Sequence, residues 1–128
     1  MPSIHDNHIL SYEVDFQNET LVMRTIDPYN ENAKIIDVIF SGYLAHFFTD
    51  VQKVNILSEI DEYPLNKFLE RKSGYLEDVK GYAWPVMCDT EKELLDYLQE
   101  SNYKPFLVGS SWGLSGWVLC KKMEIVHG

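Results

Sequence analysis

The sequence has little of what several large protein classes require, and these absences narrow its function first. It holds two cysteines, Cys88 and Cys120, which form neither a C-x-x-C spacing nor part of a second pair. A zinc site or a disulfide framework would need such an arrangement. The sequence therefore favours buried thiols in a reducing compartment, and it predicts no metal and no cofactor.

Long apolar runs are also missing. No run approaches the roughly 18 residues that a membrane-spanning helix needs, and the first eight residues have no basic segment followed by an apolar core. We therefore expect no membrane span and no standard export signal, and we predict a cytoplasmic protein.

Positive charge is scarce as well, since 11 Lys and Arg stand against 20 Asp and Glu, for a net charge of −9. Nucleic acids and anionic membranes are bound by clustered lysines and arginines, so neither is an expected partner. A partner that responds to this charge should be basic. The competing interpretation is that acidity only keeps a small protein soluble.

What is present is a chain of 128 residues, 45% hydrophobic, which suits one globular domain over residues 1–128. Residues 9–16 alternate between apolar and polar side chains, as in a half-buried strand. Further β-prone runs follow at 20–26, 34–40, 43–49 and 53–60, and two closing strands flank residues 109–117.

Helical signals lie between these two groups of strands. After Pro64 the apolar period changes to about 3.6, which predicts a helix to Lys72, and a helical turn is predicted over 75–82. Thr90 and Glu93 form a capping box that starts another helix, with Asn102 as its left-handed cap. The sequence thus predicts an α+β fold: a mostly antiparallel sheet of about six or seven strands with two or three helices packed on one face.

Residues 109–117 are unusually rich in Gly, Ser and Trp, and we interpret them as a turn between two strands. Gly109, Ser111 and Gly113 match the G-x-S-x-G pattern of a serine-hydrolase nucleophile elbow. That elbow requires a helix after the serine, whereas a β-prone run follows here. A Ser/Gly turn is the preferred interpretation, and a small hydrolase that uses Ser111 is the alternative.

Histidines offer a second enzymatic alternative. His5, Asp6 and His8 supply side chains that bind metals, and His46 or His127 would complete a three-ligand site of a metal-dependent enzyme. A polar strand entry explains the first three residues equally well. A lone histidine on an apolar strand, such as His46, is more often a hydrogen-bonded core residue than a base.

Carboxylates and aromatic residues favour a binding protein. Acidic residues end one predicted strand and form a stripe along the predicted helix, where like charges repel by a few tenths of a kcal/mol per pair. Trp112, inside the Gly/Ser segment, is the best candidate for an exposed anchor. A solvated acidic face is the alternative. The predicted partner contacts are Glu59, Asp61, Glu62, Glu93, Asp96, Glu100 and Trp112.

Four motifs carry a resemblance to a family of small bacterial proteins without a catalytic signature. They are His5-Asp6-Asn7, the strand from Ile35 to Gly42, Gly81-Tyr-Ala-Trp-Pro85, and the segment from Ser110 to Val118. In size and acidity this family is similar to the immunity proteins encoded beside polymorphic bacterial toxins, including wall-associated toxin loci. The resemblance implies no particular contact residue.

The leading prediction is a non-enzymatic, immunity-type protein that binds a basic toxin C-terminal domain, such as a nuclease, and occludes its active site. The first alternative is the small hydrolase or metal-dependent enzyme that uses Ser111 or His5 and His8. The second is a structural or regulatory domain that has no toxin partner and self-associates through its edge strands.

Overall fold

The computed structural model of the chain describes residues 3–70 and 90–127. These residues form eight strands and two helical segments. The strands are β1 (His8–Asp15), β2 (Thr20–Ile26), β3 (Ile36–Ser41), β4 (Ala45–Thr49), β5 (Ile56–Glu62), β6 (Lys104–Trp112), β7 (Ser115–Cys120) and β8 (Lys122–His127). The helical segments are α1 (65–70) and α2 (Glu91–Glu100).

All eight strands belong to one antiparallel sheet in the order β4-β7-β6-β5-β1-β2-β3-β8. Strand β4 follows β3 along the chain, and β8 follows β7. The chain bends between the two strands of each consecutive pair. At the bend the Lys121 N–H donates to the Ser41 carbonyl, and the Leu44 N–H donates to the Leu119 carbonyl. The β3–β8 pairing thus continues into the β4–β7 pairing, and the sheet curls until its two ends meet.

The curled sheet encloses its own apolar core. Phe40 on β3 and Phe106 on β6 lie in strands that are not neighbours, yet their ring centroids are 6.1 Å apart across the interior. Each fully buried Leu, Met or Phe contributes roughly 1.5–3 kcal/mol. The buried members are Ile4, Ile9, Leu21, Met23, Val38, Phe40, Leu57, Phe106, Val108, Leu114, Val118 and Cys120.

The two helices cover part of the outer side of the sheet. Phe68 of α1 packs edge-on against the buried Trp117 of β7, with ring centroids 5.0 Å apart. Leu69 of α1 then packs on Leu94 and Leu98 of α2. Helix α1 therefore contacts both the outer side of β7 and helix α2, and Leu44 and Tyr103, which lie next to β4 and β6, pack on the same cluster.

The predicted fold class is wrong in two respects. The sheet has eight strands, not six or seven, because the closing run after Trp117 bends at Lys121 and divides into β7 and β8. The helices also do not pack on one face of an open sheet. The strands themselves bury their inner face by curling, and the main core includes no helical residue among those described.

Both ends of α2 agree with the sequence prediction. The Thr90 Oγ1 accepts a hydrogen bond from the Glu93 N–H at 3.1 Å. Asn102 has the left-handed φ of 63°, and the Tyr103 N–H donates to the Leu98 carbonyl, as in a Schellman motif. The predicted helical turn at 75–82 lies outside the described residues. Within them, no helix has both the length and the apolar character needed to cross a bilayer.

Candidate interaction surface

The Gly/Ser segment is mostly strand, and its turn is shorter than predicted. β6 continues to Trp112 and β7 begins at Ser115, so only Gly113, with a φ of 85°, and Leu114 make the turn. Ser111 therefore lies in a strand that is followed by another strand, and its Oγ donates to the Ile56 carbonyl at 3.4 Å. This geometry differs from the strand–turn–helix of a nucleophile elbow.

Asn55 fixes the β6–β7 turn to the loop that precedes β5. The residue is 7% exposed, and its Oδ1 accepts hydrogen bonds from the Leu114 N–H at 2.8 Å and the Gln52 N–H at 3.1 Å. Its Nδ2 donates to the Gln52 carbonyl at 2.7 Å. One buried amide thus holds two loops in a single conformation.

Apolar side chains project from these two loops. Trp112 is 59% exposed, and Val51 and Val54 are 48% and 42% exposed. Beside them lies an open recess of about 640 Å³, which we call the Trp112 groove. It is lined by Asp50, Val51, Gln52, Ser110, Ser111, Trp112, Gly113 and Ser115. Because Asn55 already orders the loops, a partner that packs on Trp112 would lose little conformational entropy.

A second recess, the apolar hollow, lies between α1 and the outer side of β4, β7 and β6. Its volume is about 370 Å³. Aromatic and aliphatic side chains form most of its wall, and glycine leaves room at its floor. The lining residues are Phe47, Thr49, Tyr63, Phe68, Leu107, Val108, Gly109, Ser115 and Gly116. Because Ser115 lines both recesses, the hollow and the Trp112 groove are contiguous.

Two predicted contact residues border the apolar hollow. The Glu59 Cγ lies 3.7 Å from the point where a Cβ would stand on Gly109, so the Glu59 side chain lies next to a residue that lines the hollow. Asp61 pairs with Leu107 in the antiparallel register, and directly opposed residues share one face of a sheet. Both carboxylates are exposed. An apolar recess next to two carboxylates matches the shape and charge of a Lys or Arg side chain.

The other predicted contacts lie at the end of β5 and on α2. Glu62 lies 4.0 Å from the Lys104 Nζ, at the end of β5 next to the start of β6. On the outer helix, Asp96 pairs with Lys92 at 3.3 Å, and Glu93 and Glu100 are exposed. The Trp112–Ile56 pair and the Asp61–Leu107 pair are five residues apart along β5 and β6, which corresponds to a distance of about 17 Å.

The comparisons with known proteins identify no family for this chain. A scan against protein-family models found no match, and searches of curated proteins and of solved structures found none. The resemblance to immunity proteins therefore stays a prediction, and function has to be argued from the surface itself.

The histidines have different partners in the structure. His5 pairs with Asp6 at 3.1 Å, whereas His8 lies edge-on to Tyr29 with ring centroids 6.1 Å apart. In residues 3–70 and 90–127, no three His, Cys, Asp or Glu side chains are placed to hold a metal ion. The metal site of the enzymatic alternative is thus not assembled in the described part of the chain.

His46 packs in an aromatic cluster, as expected for a hydrogen-bonded residue on an apolar strand. The Tyr43 hydroxyl and the His46 Nδ1 are 2.7 Å apart, and the rings of Tyr12 and Phe48 surround the imidazole. Partial burial lowers the pKa of His46 and raises the pKa of Tyr43. Both shifts favour a neutral pair in which Tyr43 donates and the imidazole accepts.

Sequence reasoning missed the apolar hollow and the Asn55 bridge. Gly109 was assigned to a turn, although its place on β6 opposite Glu59 is what opens the hollow. The sequence distinguishes Asn55 only as a polar residue at the start of an otherwise apolar strand.

Proposed function

We propose that this protein is a cytoplasmic, immunity-type binding protein. A Lys or Arg side chain of a basic toxin domain would insert into its apolar hollow. The observation that carries the proposal is the placement of Glu59 and Asp61 beside an apolar recess. The net charge of −9 supports it, since that charge attracts a cationic partner.

A cationic side chain gains from both parts of this site. Its aliphatic stem would contact Leu107 and Phe68 in the hollow, while its charged head would reach the Glu59 and Asp61 carboxylates. An exposed ion pair contributes only about 0.2–1 kcal/mol, whereas a charge-assisted hydrogen bond in a recess contributes about 1.5–3 kcal/mol. The recess therefore determines how much the two carboxylates contribute to the binding affinity.

The Trp112 groove would supply the apolar anchor of the same interface. A standard interface buries about 800 Å² per partner, and a round patch of that area is about 32 Å across. The span of about 17 Å between the Trp112 and Asp61 rows fits within it. The carboxylates of Glu93, Asp96 and Glu100 on α2 would lie at the edge and act mainly by steering the partner.

The proposal is tested with the toxin domain encoded by the neighbouring gene. Titration calorimetry at about 50 and about 300 mM NaCl should show tight binding that weakens with salt, because salt screens the steering charges. Co-expression of the two proteins should restore growth of cells that produce the toxin. The double variant Glu59→Gln/Asp61→Asn should bind at least tenfold more weakly, which corresponds to about 1.4 kcal/mol.

The matched control is Glu13→Gln/Glu31→Gln, which removes the same two charges from exposed positions on β1 and the 27–35 loop. It should retain nearly full affinity. Equal weakening by both double variants would show that only net charge matters and that the hollow is not the contact. Absence of binding by the unaltered protein would end the immunity proposal altogether.

A further inference from the structure

A third recess lies at the end of the curled sheet where β2 ends, β3 begins and β8 ends. It has a volume of about 450 Å³, and we call it the polar cleft. The residues that matter for its chemistry are His5, Asn7, Asp27, Asn30, Lys34 and His127. It shares no lining residue with the Trp112 groove or the apolar hollow, so the proposed partner surface does not account for it.

The Asn7 side chain supplies a hydrogen-bond acceptor beside this cleft. The residue is only 3% exposed, and its Nδ2 donates to the Thr25 Oγ1 at 3.1 Å. The Thr25 hydroxyl has one proton, which it donates to the Ile36 carbonyl at 2.9 Å, so it can only accept from Asn7. This fixes the amide orientation and leaves the Asn7 Oδ1 as the free acceptor of a side chain that lines the cleft. The Oδ1 makes no hydrogen bond to any residue that the structure describes.

The rim of the cleft is rich in donors. Lys34 is exposed and makes no ion pair within the described ranges, unlike Lys92, Lys104 and Lys122. The imidazoles of His5 and His127 also border the cleft.

Two further side chains at the rim of the cleft each accept a hydrogen bond from a backbone N–H. The Asn30 Oδ1 accepts from the Asn32 N–H at 2.9 Å, which leaves the Asn30 amide group to donate. The Asp27 Oδ1 accepts from the Tyr29 N–H at 3.0 Å, so its second oxygen can accept a proton from a ligand hydroxyl. The cleft therefore offers a positive donor set at one side and acceptors at Asn7 and Asp27.

We propose that the polar cleft binds a small hydroxylated organic anion, with its carboxylate or phosphate at Lys34 and His127 and a hydroxyl that donates to the Asn7 Oδ1. The Asn7 Oδ1 is a free acceptor on a side chain that Thr25 already orients, and a cleft of this volume suits a small molecule. Lys34, which makes no ion pair within the described ranges, supplies the charge that an anion requires.

Three probes of nearly the same shape test the proposal: glycerate, glycerol 3-phosphate and uncharged glycerol. Each is titrated to about 10 mM into ¹⁵N-labelled protein, because ligands of this size bind in the millimolar range. The side-chain amide signals of Asn7 and Asn30 should shift and saturate with at least one of the two anions and not with glycerol. Which anion binds more tightly distinguishes a carboxylate ligand from a phosphate ligand.

Lys34→Gln should weaken the anion titration by about tenfold, while the matched variant Lys53→Gln, at an exposed position in another loop, should leave it unchanged. Unmoved Asn7 and Asn30 signals with both anions would overturn the proposal. So would equal shifts with glycerol, or equal weakening by the two lysine variants. The readout needs no protein partner, so its failure is distinct from failure of the immunity proposal.

Discussion

Replacing Asn55 by alanine tests whether one buried amide holds the Trp112 loop. Most of the stability that this variant loses comes from Leu114. That residue is fully buried, and its N–H would be left without an acceptor at a cost of about 1–3 kcal/mol. The two bonds to Gln52 lie next to solvent, where water can replace them, so they add about 0.5 kcal/mol each. We expect Asn55→Ala to lower the free energy of unfolding by about 3 kcal/mol.

Urea unfolding followed by circular dichroism measures this loss, and a chain of this length should also melt roughly 10 °C lower. Asn55→Asp keeps an acceptor for the Leu114 N–H and should lose about half as much. Asn66→Ala, an exposed asparagine on α1, is the control and should change stability by under about 0.5 kcal/mol. A loss below about 1 kcal/mol for Asn55→Ala, or continued exchange protection of the Leu114 amide, would refute the reasoning.

Three other predictions concern the strands, the aromatic cluster and the outer helix. Gly116→Ala should lower the free energy of unfolding by about 3 kcal/mol or abolish folding, because the new Cβ would collide with the Phe47 carbonyl. Gly109→Ala, the control, should lower it by under about 1 kcal/mol. Equal melting temperatures for the two variants would contradict this prediction. Burial lowers the pKa of His46 from 6.5, so its contribution to stability is complete above about pH 6.5 and is lost as the pH falls through the lower folded value. The free energy of unfolding should therefore fall as the pH drops below about 6.5, and a fall of the same size in His46→Gln would show that other groups cause it. Thr90→Ala should cost about 1 kcal/mol by removing the helix cap, and an unchanged urea midpoint would show that the cap is dispensable.

Local signals in the sequence predicted the elements whose cause is local. The start of α2 follows from Thr90 and Glu93, three residues apart, and its end follows from Asn102, which takes the left-handed conformation the sequence suggested. The alternation along residues 9–16 also predicted the strand β1, although Leu10, Tyr12 and Phe16 on its apolar face are exposed.

Features that depend on distant residues were not predictable in this way. Asn55 and Leu114 are 59 residues apart, and nothing in either segment identifies the other. Composition was also misleading at Gly109, since Gly and Ser usually indicate a turn, but pairing with β5 holds this residue in a strand. The Glu59 and Asp61 carboxylates were expected to bind a partner, but the hollow beside them appears only when β6 and α1 are assembled.

The pairing of β3 with β8 also constrains how the protein reaches its native state. Ile36 pairs with His127, so the edge of β3 is covered by β8, which leaves the ribosome after all the other described strands. The β1–β2 hairpin can form early, but closure must wait until synthesis has passed residue 122. Contacts this distant along the chain slow folding, and until β8 arrives the nascent chain presents an open strand edge that chaperones or aggregation would compete for.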